Sequence, residues 1–253
     1  MASPIFSSDF NDATVIGDLQ TGLNWDANQA VASGTLALES TIIPRVGTKS
    51  IKCVAPAYSS TIARAALQKA AFSFSAYTAT WIEWYLYIAA AASYHMLGLL
   101  DVEDPDHPSG LSAGRSLYMT KDRMLHSALL NAGQIDIANQ PITGVVAGPQ
   151  MPIAQWVKMR AYIFFDADAA SGRVKLWRDD VLILDEAGRT MPPGMYVTDR
   201  IQIGITNHEA PVQQTLYVAD VKVWTGEPDD GLSPPSSGGG GGGRHDVPTP
   251  DGS

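Results

Sequence analysis

The sequence predicts an all-β fold of antiparallel strands, and three stretches carry that prediction. From Trp156 to Phe165 the residues alternate. Val157, Met159, Ala161, Ile163 and Phe165 fall on one side, and Trp156, Lys158, Arg160, Tyr162 and Phe164 on the other, as a pleated strand with one buried face requires. Asp166 to Gly172 is small and polar, and Val174-Lys175-Leu176-Trp177 then runs into the tight Arg178-Asp179-Asp180 turn before Val181. Asp, Ser and Gly adopt turn dihedrals at little cost, so two hairpins follow each other in a meander. Ala79 to Ala89 is the third stretch, with Ile82, Trp84, Leu86 and Ile88 on one side and Trp81, Glu83, Tyr85 and Tyr87 on the other.

The other elements follow in chain order. Residues 1–34 are turn-rich, with Asp9, Asp12, Asp18 and Asp26 among Gly17, Gly22 and Gly34, and one short strand is expected around Ala13 to Ile16. Thr35 to Leu38 and Ser50 to Val54 are strands separated by Pro44 and Gly47. Thr61 to Ala71 has the Ala, Leu, Gln and Lys content of a helix, while the alternation of Ile62 and Arg64 with Ala63 and Ala65 also permits a strand. Tyr94 to Leu100 and Arg115 to Thr120 are strands flanking an acidic loop, Asp101 to Gly110. Arg123 to Asn131 and Gln134 to Ile137 continue the series, and Gly144 to Pro152 is a loop. After Trp224 the composition changes to Pro, Ser and the six glycines Gly238 to Gly243. Residues 1–225 therefore form one domain, and 226–253 a tail with too few apolar groups to fold alone, either flexible or ordered by assembly.

The run Trp156-Val157, Ser171-Gly172, Val174-Lys175-Leu176-Trp177, Asp179-Asp180 and Leu184-Asp185, with Ile201-Gln-Ile-Gly-Ile205 and Leu216 to Trp224 after it, resembles the concanavalin A-like lectin/glucanase domains in their laminin G-like form. The resemblance implies a jelly-roll β-sandwich and makes Thr61 to Ala71 a strand. It also implies a structural calcium at Asp220, the place where many sugar-binding jelly rolls carry a ligand on the closing strand. The alternative for this and the other acidic clusters is a solvated turn carboxylate, since no complete calcium loop occurs.

Composition excludes several classes. A net charge of −9 over 253 residues is unsuited to a broad nucleic-acid surface, and equally to an acidic polymer held over a wide area. Cys53 is the lone cysteine, which rules out an intrachain disulfide, and its apolar strand makes it a small hydrophobe rather than a nucleophile. The five histidines lack zinc spacing, and no phosphate-binding glycine loop or Gly-x-Ser-x-Gly elbow occurs. The N-terminus has no basic and apolar leader pattern, and no apolar run is long enough to span a bilayer, so no membrane insertion is expected.

Trp81, Glu83, Tyr85 and Tyr87, joined by Lys158, Arg160 and Trp177, are the glycan-binding candidates, because aromatic faces stack on sugar C–H groups while polar groups fix hydroxyls. The alternative is that Trp81 and Tyr87 fill the sandwich or lie under a covering loop. Catalytic patterns of the superfamily are missing. No Glu-x-Asp-x-x-Glu run occurs, Asp185 and Glu186 point to opposite sides, and Gln134-Ile135 is followed by Asp136 where the alginate-lyase pattern has His. The expectation is therefore a non-enzymatic, virion-associated structural or adhesion protein of the decoration, fibre or minor-tail type. Its partners would be other particle subunits, copies of itself and a cell-surface glycan, and it would reach an extracellular particle after cytoplasmic synthesis. The alternatives are a free lectin module, or a polysaccharide lyase or glycoside hydrolase whose site is assembled from separate strands.

Overall fold

The computed structural model describes residues 3–226 and 228, apart from 24, 32, 59–61, 71, 76, 91–96, 105–112, 121, 132–133, 136–149, 169, 193–196 and 209. Two antiparallel sheets make a jelly-roll sandwich, the class that the sequence predicts. Sheet A runs β14 (Val181–Ala187), β13 (Arg173–Arg178), β12 (Trp156–Phe164), β7 (Ala79–Ile88), β17 (Gln214–Trp224), β4 (Ser50–Ala55) and β3 (Thr35–Glu39). The short β1 (Phe6–Ser8) pairs with β17. Sheet B runs β11 (Gln134–Ile135), β10 (Leu125–Asn131), β9 (Ala113–Met119), β8 (Leu97–Asp104), β16 (Arg200–Ile205), β5 (Arg64–Lys69) and β2 (Ala27–Val31). A small ladder joins β6 (Phe74–Ser75) to β15 (Val197–Thr198), and α1 (Asp18–Thr21) is a single helical turn.

Strand alternation sets the core. Ile82, Trp84, Leu86 and Ile88 of β7 and Val157, Met159, Ala161 and Ile163 of β12 face inward, where they meet Leu67, Leu100, Val102, Leu117, Ile201 and Ile203 of sheet B. Cys53 is wholly buried in this core, and burial pushes its thiol far above the usual range. One ion pair lies inside the sandwich. Arg115 of β9 reaches Glu186 of β14 (3.3 Å), Ser127 Oγ (2.7 Å) and the Arg189 carbonyl (3.0 Å). In β17 the register shifts between Ala219 and Lys222 around Asp220, whose φ is 44°. The bulge keeps Val221 and Val223 in the core and sets Asp220 beside Lys222.

The structure departs from the sequence reading in several places. Residues 1–34, read as loop around one short strand, contain β1, α1 and β2. Residues 13–16 form turns rather than a strand, because the Asp18 carboxylate accepts from Thr14 N (2.6 Å), Thr14 Oγ1 (2.8 Å) and Val15 N (2.9 Å). A side chain thus takes donors that a ladder would need. Asp101 to Asp104 complete β8 instead of opening a loop, since β9 and β16 pair with them on both sides. Of Gln134 to Ile137, Gln134 and Ile135 form β11 as expected, and residues 136–137 lie outside the described residues. Thr61 to Ala71 does contain a strand, β5, where pairing with β16 and β2 overrides helix propensity. Most of the Gly144 to Pro152 loop and of the 226–253 tail lies outside the described residues.

Candidate active site

The outer face of sheet B is polar, yet most of its side chains are withdrawn from solvent. Alternation along β8 sends Leu100 and Val102 to the core and Asp101 and Glu103 outward. Register then builds a line across four strands, because Ser116 of β9 and Gln202 of β16 both pair with Asp101, and Gln68 of β5 pairs with Gln202. Ser116 Oγ donates to Asp101 Oδ1 (2.6 Å), and Gln202 Nε2 donates to Gln68 Oε1 (3.1 Å). The next line pairs Glu103 with Arg200, whose Nη2 lies 2.6 Å from the Glu103 carboxylate. On the other flank His126 of β10 sits opposite Tyr118 of β9, their rings stacked with centroids 5.3 Å apart.

Burial shifts these groups toward acid–base use. Removal from water, and then the neighbouring Glu103, push Asp101 up to about 7, since both penalise a second negative charge. Burial lowers His126, which leaves a neutral imidazole at neutral pH, and raises the Tyr118 phenol. His126 Nδ1 and Gln202 Oε1 are buried and have no partner among the described residues. Asp101 on β8, pushed up toward neutrality, shares this sheet face with the Tyr118 phenol one strand away and the neutral His126 imidazole two strands away, a set of groups able to move protons along a bound chain. Among the described residues no group of three or more His, Cys, Asp and Glu could hold a metal ion.

The seven glycan candidates of the sequence reading share a different surface, the outer face of sheet A. Register places Arg160 between Glu83 and Trp177, Lys158 beside Tyr85, and Tyr87 beside Trp156. Arg160 Nε and Nη2 both reach Glu83 Oε2, the first at 3.1 Å, and the pair is buried. Trp81 stacks on Trp177 (5.4 Å) and meets Tyr162 edge-on (4.9 Å), with Trp224 completing the cluster. Lys158 Nζ binds Asp180 (2.5 Å). The aromatics of this face thus pack on one another, and the charged candidates Glu83, Lys158 and Arg160 are ion-paired. Asp220, expected to hold calcium, is engaged at 2.7 Å by the Lys222 ammonium, a cation supplied by the chain itself.

No family model matches the chain, and no curated protein matches it in sequence. Solved structures do match in fold. An endo-β-1,4-glucuronan lyase from the fungus Trichoderma reesei superposes with a TM-score of 0.65 at 11% identity, covering 88% of this chain and 96% of the lyase. An alginate lyase gives 0.57 at 10% identity over 88% and 97% of the two chains. A β-glucanase catalytic domain from Podospora anserina gives 0.51 at 13% identity over 89% and 97%. At such identities the likeness is one of fold.

These matches correct the functional expectation. The three proteins just named are by name polysaccharide-cutting enzymes and share this fold over nearly the whole domain, which overturns the expectation of a non-enzymatic virion component, and nothing in them supports a phage origin. The physical reason for the error is β8. With Asp101 and Glu103 assigned to a loop, no strand presented a carboxylate pair, and Ser116, Tyr118, His126 and Gln202 went unnoticed as partners. The signal was present. Leu100-Asp101-Val102-Glu103 keeps the alternation of a strand whatever its acidity.

Proposed function

We propose that this chain is a polysaccharide lyase that breaks uronate-containing chains by β-elimination on the outer face of sheet B. The observation that carries this reading is the buried, stacked pair of Tyr118 and His126, whose Nδ1 has no partner among the described residues, on the same sheet face as an Asp101 pushed up to about 7. In this scheme neutral His126 takes the C5 proton next to the uronate carboxylate. The electron pair left at C5 forms the C4–C5 double bond as the C4–O4 bond breaks. Tyr118 gives its proton to the departing O4. Protonated Asp101, held by Ser116, donates a hydrogen bond to the uronate carboxylate as negative charge builds there, the role that a buried neutral carboxylic acid can fill. Arg200, ion-paired with Glu103, adds positive charge one strand away. A site this narrow is compatible with a net charge of −9, because local rather than total charge decides what it holds. The glucuronan and alginate lyases among the fold matches support the substrate class.

A second reading rests on Asp101 and Glu103 standing two residues apart on one strand face. A raised acid with a second carboxylate close by is the pair a retaining glycoside hydrolase uses. One experiment separates the two. Incubated with polyglucuronate, alginate and neutral glucans, the protein should release ultraviolet-absorbing unsaturated uronates from a polyuronate. Reducing ends without that absorbance would transfer the site to hydrolysis, and no product from any polymer would end both readings.

A further inference from the structure

The outer face of sheet A carries an aromatic row that the proposed reaction does not use. Trp156, Tyr87 and Tyr217 lie opposite one another on β12, β7 and β17, with rings 5.4–5.6 Å apart, and Tyr85 adjoins them. This side of the sheet points away from the sandwich core, yet Trp156 and Tyr217 are only 8% and 7% exposed. Part of the cover is the segment joining β3 to β4. Its Ile42 packs on the row, and its Arg45 Nη1 lies 2.6 Å from Asp179 in the turn between β13 and β14. From β4 that turn is four strand spacings away, across β17, β7 and β12 to β13, or about 19 Å. The segment is therefore a strap laid over the face. Its far end is fastened by an ion pair whose two side chains are 49% and 38% exposed, and Asp179 Oδ1 also accepts from Lys158 N (3.0 Å).

Under the strap, Trp156 Nε1 is a buried donor with no acceptor among the described residues, an arrangement that ordinarily costs stability unless something supplies the acceptor. Three of the charges on this face are matched within it, Lys158 with Asp180, Arg160 with Glu83 and Lys222 with Asp220, while Lys52 of β4 stands half-buried opposite Tyr217. An ionic ligand would have to compete with these pairs, whereas sugar hydroxyls and C–H faces would not.

We propose that this face is a second sugar-binding cleft, for a chain of neutral pyranosides, with the 40–49 strap as its movable cover. A sugar hydroxyl accepts from Trp156 Nε1, and Tyr85, Tyr87 and Tyr217 line the path of the rings. The cleft lies on the opposite side of the sandwich from Asp101 and stands independently of the lyase reading.

The test is affinity gel electrophoresis of the full chain in hydroxyethyl cellulose, galactomannan or xylan, with tryptophan fluorescence titration on the polymer that retards it. Wild-type protein should be retarded in at least one gel. Trp156→Phe, which keeps a ring and removes the donor, should bind several-fold to about tenfold more weakly. Arg45→Ala, which unfastens the strap, should bind several-fold more tightly, and His126→Ala should be retarded as the wild type is. If neither the wild type nor Arg45→Ala is retarded by any of these polymers, the proposal fails. It fails equally if Trp156→Phe binds as well as the wild type, or if His126→Ala abolishes retardation and so moves the sugar to sheet B.

Discussion

The two outer faces of the sandwich are built from the same strand alternation and end in opposite electrostatic states. On sheet A the buried Arg160–Glu83 pair and the Lys222–Asp220 and Lys158–Asp180 pairs cancel charge locally, and the tryptophans close on one another. On sheet B two carboxylates share one strand face. Arg200 pairs with Glu103, and Asp101, despite its Ser116 hydrogen bond and the nearby Arg64 charge, is pushed up to about 7 by burial and by Glu103. On the same face, His126 Nδ1 and Gln202 Oε1 have no partner among the described residues. The contrast shows that a mixture of aromatic and charged residues does not mark a reactive surface. Two carboxylates buried on one strand face do, because burial and mutual repulsion shift protonation into the working range.

Replacing His126 should break the comparison most visibly. If sheet B is the reactive face, His126→Ala lowers cleavage of the responsive polymer by about 10²–10⁴-fold and leaves the unfolding transition nearly unchanged. The wild-type rate should fall as pH rises past about 7, where Asp101 loses the proton it donates. On the acid side it should fall only below the ordinary histidine range, since burial keeps the imidazole neutral. A rate that rises steadily through pH 7 to 9 would make Asp101 a base, not a donor.

The next effect separates core from outer face. Trp84 is fully buried between the sheets, and Trp84→Ala should cost roughly 3–5 kcal/mol by chemical denaturation. Trp177→Ala should cost less, because Trp177 packs with Trp81, Tyr162 and Trp224 outside the sandwich. Equal losses would make that cluster a second core rather than a surface.

Asp101 should also reveal itself in stability. Its folded value of about 7 lies above the ordinary 3.8, so the folded state prefers the protonated acid. Its contribution is complete below pH 4 and is lost as pH rises toward 7. Each tenfold difference in proton affinity between the folded and unfolded chain is worth about 1.36 kcal/mol, so the loss amounts to a few kcal/mol. Asp101→Asn should remove this slope and gain on the wild type between pH 4 and 7. Parallel curves for the two proteins would place Asp101 in water and dissolve the contrast. The smallest change should be Arg45→Ala, whose exposed ion pair contributes at most about 1 kcal/mol. A loss of several would mean that the strap is part of the folding unit and not a cover.

By itself the sequence determined the class of fold and the inner face of sheet A. The alternation in β7 and β12 and the turn residues between β12 and β14 are local, and local periodicity is what a chain displays directly. Those properties also placed Trp81, Glu83, Tyr85, Tyr87, Lys158, Arg160 and Trp177 together on one side. Only the tertiary structure decided that their charges cancel and that a strap from β3–β4 crosses them, since Arg45 and Asp179 meet across 134 residues of chain. It alone also made the sheet B site. Asp101 and Gln202 become neighbours through the pairing of β8 with β16, and burial, rather than residue identity, moves Asp101 toward 7. Aspartate disfavours strands when judged alone. Two flanking strands supply backbone partners for the segment, and that pairing sets Asp101 and Glu103 on one buried face, where burial and the neighbouring Glu103 raise the cost of charging Asp101.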